Sequence, residues 1–168
     1  VATLCPVGAA ATGCVDRRAD QADAAVKPVR RTQRWIPYGR ISPNLVKAVL
    51  LAEDSAFWSH AGIDFDEIKI SIEDSWEKGE PLRGASTITQ QLAKNLYLSP
   101  SRNPARKVTE FLIARRLEAE LPKRRILGLY LNVIEWGDGL GGVDAAARAF
   151  SDGPAPELPP AQAWSLAA

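Results

Sequence analysis

The stretch Ser42-Pro43-Asn44-Leu45-Val46-Lys47-Ala48-Val49-Leu50-Leu51-Ala52-Glu53-Asp54 decides the fold class. Ser42 is a helix cap, and Pro43 suits the first turn, where a missing N–H costs nothing. Leu45, Val46, Val49, Leu50 and Ala52 then share one apolar face that runs toward Glu53 and Phe57. A carboxylate closing such a face is expected to be desolvated, which would raise its pKa and make it a usable base. Glu53 is therefore a candidate general base; the plain alternative is a surface acid near a helix end.

The same texture continues outward. Asp64-x-x-Glu67 is a capping box opening a helix with Ile68, Ile72 and Trp76 inward, closed by Gly79. Ser86 to Leu98 reads as a helix. Asn103-Pro104 starts a long one, with Val108, Phe111, Leu112 and Leu117 at helical spacing, ended by Pro122. Lys123 to Asn132 is another. Gly137 to Gly142 is a glycine-rich turn before a short helix at 143–150, and Pro159-Pro160 begins a last helix. No alternating strand pattern persists, so the predicted fold is mainly α. The domain is expected over 35–168.

Residues 1–34 read as tail and linker: small residues, then mixed charge without an apolar period. Val1–Gly13 is too short to span a bilayer, which takes about 20 apolar residues, but it suits the remnant of a signal or membrane anchor. Ala11-Thr12-Gly13-Cys14 lacks the upstream Leu usual at a lipoprotein cleavage site. The chain stops inside an apolar pattern at Ala167-Ala168, and both ends are read as cut.

With 168 residues and net charge +1, the chain suits one domain with a full core, and bulk charge names no partner. The distribution of charge says more. Nine acids lie between Glu53 and Glu80 against Lys69 and Lys78, and eight basic residues lie between Pro100 and Arg125 against Glu110, Glu118 and Glu120. The basic block suits an anionic ligand, or else both blocks are solvated faces. Cys5 and Cys14 make neither a zinc spacing nor a disulfide framework. His60, the sole histidine, is assigned a structural hydrogen bond.

Two further constellations carry chemistry. Gly84-Ala85-Ser86-Thr87-Ile88-Thr89-Gln90-Gln91-Leu92-Ala93-Lys94-Asn95 packs hydroxyls, paired amides and a lysine at a loop-to-helix transition suited to phosphate or sugar oxygens. It lacks the spacing of a phosphate-binding Walker loop. In Arg106-Lys107-x-x-Glu110 both cations lie on the face of Glu110, an arrangement that is also common as a solvated salt bridge.

Together these segments resemble one family. Glu53-Asp54-Ser55-Ala56-Phe57-Trp58-Ser59-His60-Ala61-Gly62-Ile63-Asp64 looks like the first signature of the bacterial peptidoglycan glycosyltransferases, glycosyltransferase family 51. Gly84–Asn95 resembles the second, Arg106-Lys107-x-x-Glu110 the third, and Lys123-x-x-Ile126-Leu127-x-x-Tyr130-Leu131-Asn132 the fourth. The resemblance covers Trp35 to Ala168. Trp35-Ile36-Pro37 and the segment 133–139 look like the monofunctional biosynthetic branch. The fifth signature departs from the family pattern: Ala149-Phe150-Ser151-Asp152-Gly153 stands where an aromatic pair and Gly-Lys are usual, and Gln162 replaces a common glutamate.

The resemblance implies a lysozyme-like, bilobed, mainly α domain whose smaller lobe touches the membrane. It implies polymerisation of lipid II into β-1,4-linked glycan, with inversion and release of undecaprenyl pyrophosphate. Glu53 and Glu110 would be catalytic. Glu53 would act as the base, while Glu110 orients cations or holds a divalent ion such as Mg2+ or Mn2+, no cofactor being obligatory. Lys94, Arg102, Arg106 and Lys107 would meet the pyrophosphate, and Ser86, Gln90, Gln91 and Asn95 would line the donor pocket. The implied partners are lipid II, the growing strand, the membrane surface and other cell-wall synthesis proteins, with no nucleic acid. The implied location is the periplasmic face of the bacterial inner membrane. A fragment of a bifunctional penicillin-binding protein and a lysozyme-like muralytic enzyme stay open as alternatives.

Overall fold

The computed structural model describes residues 32–79, 84–99, 105–137, 139–151 and 153–167. Among these the chain is mainly α, as expected of a lysozyme-like helical domain. The helices are α1 (Pro43–Glu53), α2 (Phe65–Lys78), α3 (Ile88–Tyr97), α4 (Ala105–Glu120), α5 (Lys123–Val133), α6 (Val143–Phe150) and α7 (Pro160–Ala167). Two short strands, β1 (Thr32–Gln33) and β2 (Leu140–Gly141), pair in parallel, Thr32 opposite Leu140 and Gln33 opposite Gly141. Two-residue strands leave no period to read, so this pairing is invisible in the sequence pattern.

Helix α3 is central, packed against both α4 and α5, while α1 packs on α7. Ile88 and Leu92 of α3, Ala114 of α4, Ile126, Leu127 and Leu131 of α5, and Leu45 of α1 are completely buried in one core with Phe57. The N-terminal segment is pinned to this core by Asn132. Its amide accepts from the Ile36 N–H at 2.8 Å and donates to the Ile36 carbonyl at 3.0 Å and the Gly128 carbonyl at 2.7 Å. Gly142 closes the same corner at φ +81°. A Cβ there would stand 2.8 Å from the Asn132 carbonyl, so only glycine fits.

Helix ends follow the expected punctuation more closely than helix faces do. In α2 the Asp64 carboxylate accepts from the Glu67 N–H at 3.0 Å, and Gly79 ends the helix at φ +64°. The expected inward stripe is corrected: Ile68 is half-buried, Ile72 is exposed, and Trp76 is 88% exposed. Among the described residues no helix packs closely on α2. Helix α4 behaves likewise. Leu117 is buried as expected, but Val108 and Leu112 face solvent, and the inner face is Glu110, Ala114 and Leu117. Periodicity identifies an apolar stripe, whereas burial depends on whether another element reaches it.

The turn after α6 is tied back by Asp144, whose carboxylate accepts from the Ala155 N–H at 3.0 Å and from Arg148 Nε at 3.0 Å, with Arg34 3.9 Å away. Burial alone pushes this carboxyl up. The Ala155 N–H, Arg148 and Arg34 outweigh burial and hold it below its ordinary 3.8. A depressed folded-state pKa contributes stability that is fully present above the unfolded value and is lost as pH falls through the folded one. Asp144→Asn should therefore lower the melting temperature at pH 7, and the gap to wild type should shrink below about pH 4. Thermal melts at pH 7, 4 and 3 check this; a gap independent of pH would contradict it.

Candidate active site

Helix α1 stops at Glu53, and Asp54 is the first residue beyond it. Asp54 is buried, and one of its carboxylate oxygens accepts from the Ile88 N–H, the first residue of α3, at 2.9 Å. His60 Nε2 stands 3.0 Å from both Asp54 oxygens, while its Nδ1 accepts from the Gly62 N–H at 3.1 Å. Because Nδ1 accepts, the ring proton sits on Nε2 and points at Asp54. The structural hydrogen bond assigned to His60 is thus the one found. Gly62 has φ +89°, and a Cβ would lie 3.1 Å from the Ala114 carbonyl, so glycine is required here too. Its own carbonyl accepts from Thr87 Oγ1 at 2.7 Å.

Thr87 caps α3 in a capping box with Gln90: each side chain takes the other residue's N–H, at 3.2 Å and 2.9 Å. Gln90 is therefore turned into the core with no exposed surface, and its expected place in the donor pocket is corrected. The helix advances about 100° per residue, so Gln91 lies on an adjacent, half-buried side. Its amide nitrogen donates to Glu53 Oε2 at 2.7 Å and lies 3.5 Å from the Ser86 carbonyl, and its amide oxygen accepts from the Tyr130 hydroxyl at 3.1 Å. Lys94 and Asn95, three and four residues on, share that face; Lys94 is exposed and Asn95 half-buried.

From α4, Lys107 Nζ donates to Ser86 Oγ at 3.0 Å and pairs with Glu110, which is 3% exposed. This pair is not the solvated salt bridge of the plain reading, because its acid is buried and must be compensated. Five of the expected residues, Glu53, Ser86, Gln91, Lys107 and Glu110, thus form one continuous polar chain. Arg106 is half-buried in the first turn of α4, and Arg102 lies outside the described residues. An open depression of about 200 Å³ adjoins the chain, lined by Leu51–Ser55, Asp64, Glu67 and Gly84–Thr87.

One expectation about the base is corrected. Glu53 is exposed, and the buried carboxylate is its neighbour Asp54. The apolar face of α1 ends one turn early, at Val49 and Leu50, and Glu53 projects into the depression. Sequence reasoning also assigned no role to Tyr130 or Asp54. Both stood within the quoted signatures, but their roles depend on contacts 39 and 34 residues away. Among the described residues no group of three or more His, Cys, Asp or Glu side chains is arranged to hold a metal ion.

The chain matches the family described as Transglycosylase over residues 21–168. It is also similar to several curated proteins named biosynthetic peptidoglycan transglycosylase. The one from Laribacter hongkongensis is 51% identical over 135 residues, 80% of this chain and 59% of the relative. That from Azoarcus sp. is 50% identical over 142 residues, 84% and 62% of the two chains. That from Aromatoleum aromaticum is 46% identical over 156 residues, 93% and 68%. The chain thus spans about three fifths of the length of the first two of these relatives.

Removing the Asp54 carboxylate would leave the Ile88 N–H and His60 Nε2 without their acceptor inside the fold. Asp54→Ala should cost about 2–4 kcal/mol of stability, the range for stranding buried donors of a charged group. Urea unfolding checks this, and a loss under about 0.5 kcal/mol, the size of an ordinary surface change, would show that Asp54 does not tie α1 to α3.

Proposed function

Since the chain belongs to the transglycosylase family, we propose that it is a peptidoglycan glycosyltransferase. It polymerises lipid II, the growing strand being the donor and a new lipid II the acceptor. The observation that carries this reading is the placement of Glu53 on the wall of the depression, bonded to Gln91, with Lys107 held nearby between Ser86 and Glu110. Glu53 takes the proton of the acceptor's 4-hydroxyl as that oxygen attacks the donor's anomeric carbon. The bond from that carbon to the pyrophosphate breaks, and undecaprenyl pyrophosphate leaves. Attack opposite an α-linked leaving group gives the β-1,4 linkage.

The physical chemistry supports this division of labour. A carboxylate open to the depression is reachable by a bulky sugar hydroxyl, and the arriving substrate displaces the water around it. The leaving pyrophosphate gains negative charge, and cations aimed at it lower the barrier. Lys107, Lys94, Arg106 and Arg102 are assigned that role, with Glu110 orienting Lys107.

The lipid tail of such a substrate requires the depression to open at a bilayer. No helix among the described residues is long and apolar enough to cross a membrane. Instead Phe65, Ile72 and Trp76 on α2, Val108 and Leu112 on α4, and Trp58 and Tyr97 are exposed. Trp76, expected in the core, is exposed together with Trp58 and Tyr97, whereas Phe57 beside Trp58 is buried. Glu67 of α2 lines the depression, so the helix that carries the exposed Phe65, Ile72 and Trp76 stands at its rim. Aromatic rings favour the headgroup level, and we assign α2 to the membrane surface on the periplasmic side.

Three outcomes are expected. Glu53→Gln lowers glycan synthesis from labelled lipid II by about 10²–10⁴-fold while retaining lipid II binding; near-normal polymer on a gel would remove Glu53 as base. Lys94→Ala slows turnover of lipid II but leaves binding of a neutral glycan fragment unchanged; equal weakening of both would end the pyrophosphate role. Liposome flotation recovers the protein at low and moderate salt, and Trp76→Ser with Phe65→Ser reduces the recovery. Protein remaining wholly soluble would count against α2 as the membrane face.

A further inference from the structure

Tyr130 is the largest side chain in the buried core, on α5, yet its hydroxyl leaves that core to meet Gln91. The hydrogen bonds around Gln91 can be arranged in only one way. The Glu53 carboxylate only accepts, so it must face the amide NH2 group of Gln91. The amide oxygen then faces Tyr130, and the phenol must donate to it. Burial first, and then the nearby Glu53 and Asp54 carboxylates, push the Tyr130 phenol well above its ordinary value, so it keeps its proton at neutral pH. The second amide hydrogen points to the Ser86 carbonyl, at 3.5 Å.

We propose that Tyr130 is a positioning residue for the general base: its hydroxyl fixes which way the Gln91 amide faces, and Gln91 in turn aims Glu53 at the acceptor. The inference rests on Glu53 being the base, as above. If the amide flipped, its oxygen would sit against a carboxylate oxygen only 2.7 Å away, two acceptors with no proton between them. Glu53 would then swing off, because α1 ends at this residue and, among the described residues, no other hydrogen bond holds its side chain. The hydroxyl supplies what the flexible amide lacks, a donor anchored in a rigid core. Successive bonds in such a chain also polarise one another, which strengthens the one that reaches Glu53.

The test uses the full-length protein and labelled lipid II. Tyr130→Phe keeps the buried ring and removes only the hydroxyl. It should lower kcat by about 10- to 100-fold, the cost of a misaimed catalytic group, with KM changed less than about twofold and an unchanged melting temperature. Gln91→Asn, too short to reach both Tyr130 and Glu53, should reproduce the kcat loss from a half-buried position where folding is not at risk. In a Gln91→Ala background the Tyr130→Phe change should add nothing, because the hydroxyl acts only through that amide. A wild-type kcat in Tyr130→Phe would overturn the proposal, and so would a further equal loss in the Gln91→Ala background. A Tyr130→Phe loss that comes with a lowered melting temperature, and that Gln91→Asn does not share, would also overturn it. A Glu53→Gln enzyme that still polymerises would instead remove the base itself. An inactive Glu53→Gln beside a normal Tyr130→Phe would remove the relay alone.

Discussion

Asp54 stands where α1 stops, and its two oxygens meet His60 Nε2 and the Ile88 N–H at the head of α3. A helix N-terminus offers unpaired N–H groups and partial positive charge, so a buried carboxylate is compensated there as few other places would allow. The reverse also holds, since the first turn of α3 gains a partner for an N–H that no helix carbonyl can satisfy. The end of α1, which carries Glu53, is thereby fixed against the start of α3, which carries Gln91. The distance from Glu53 to Gln91 depends on that join.

Around the join the structure separates stable from accessible polar groups. Asp54, His60, Thr87 and Gln90 spend their hydrogen-bonding capacity on one another and on backbone, leaving the Gln90 side-chain nitrogen as a buried donor without a partner among the described residues. Glu53, Gln91, Ser86 and Lys107 form a second layer, of which Glu53 and Ser86 line the depression. Buried networks gain from low dielectric only when they are satisfied, and the inner layer comes close to that condition. The outer layer keeps groups that a ligand can still engage. Glu110 and Tyr130 bridge the layers, each buried but with a polar end reaching a side chain of the outer one.

A third feature shares this logic. Thr89 Oγ1 and Lys123 Nζ both donate to Glu118 Oε1, at 2.6 Å and 2.7 Å, and Lys123 also lies over the Phe57 ring, 4.3 Å from its centre. These contacts tie α3, α4 and α5 to the loop after α1. The four quoted signatures therefore meet in space through side chains as well as backbone, although they are spread over 80 residues of chain.

Local chemistry determined much of this in the sequence alone. Pro43, Asp64, Gly79 and Pro122 mark helix ends because capping and proline geometry act over a few residues, and those ends appear where they were read, although the Ser42 hydroxyl donates to the Leu158 carbonyl instead of capping α1. The same holds for the proximity of Lys107 to Glu110, which helical spacing imposes. Long-range packing was not legible. Whether the stripe of Ile72 and Trp76 is covered, whether Glu53 or Asp54 is the buried acid, and which of two adjacent glutamines faces the cleft all depend on elements distant in the chain. A residue's type and period say what it can bury or bond. Only the tertiary structure decides what arrives to be its partner, because burial and hydrogen bonding are properties of pairs brought together by the fold.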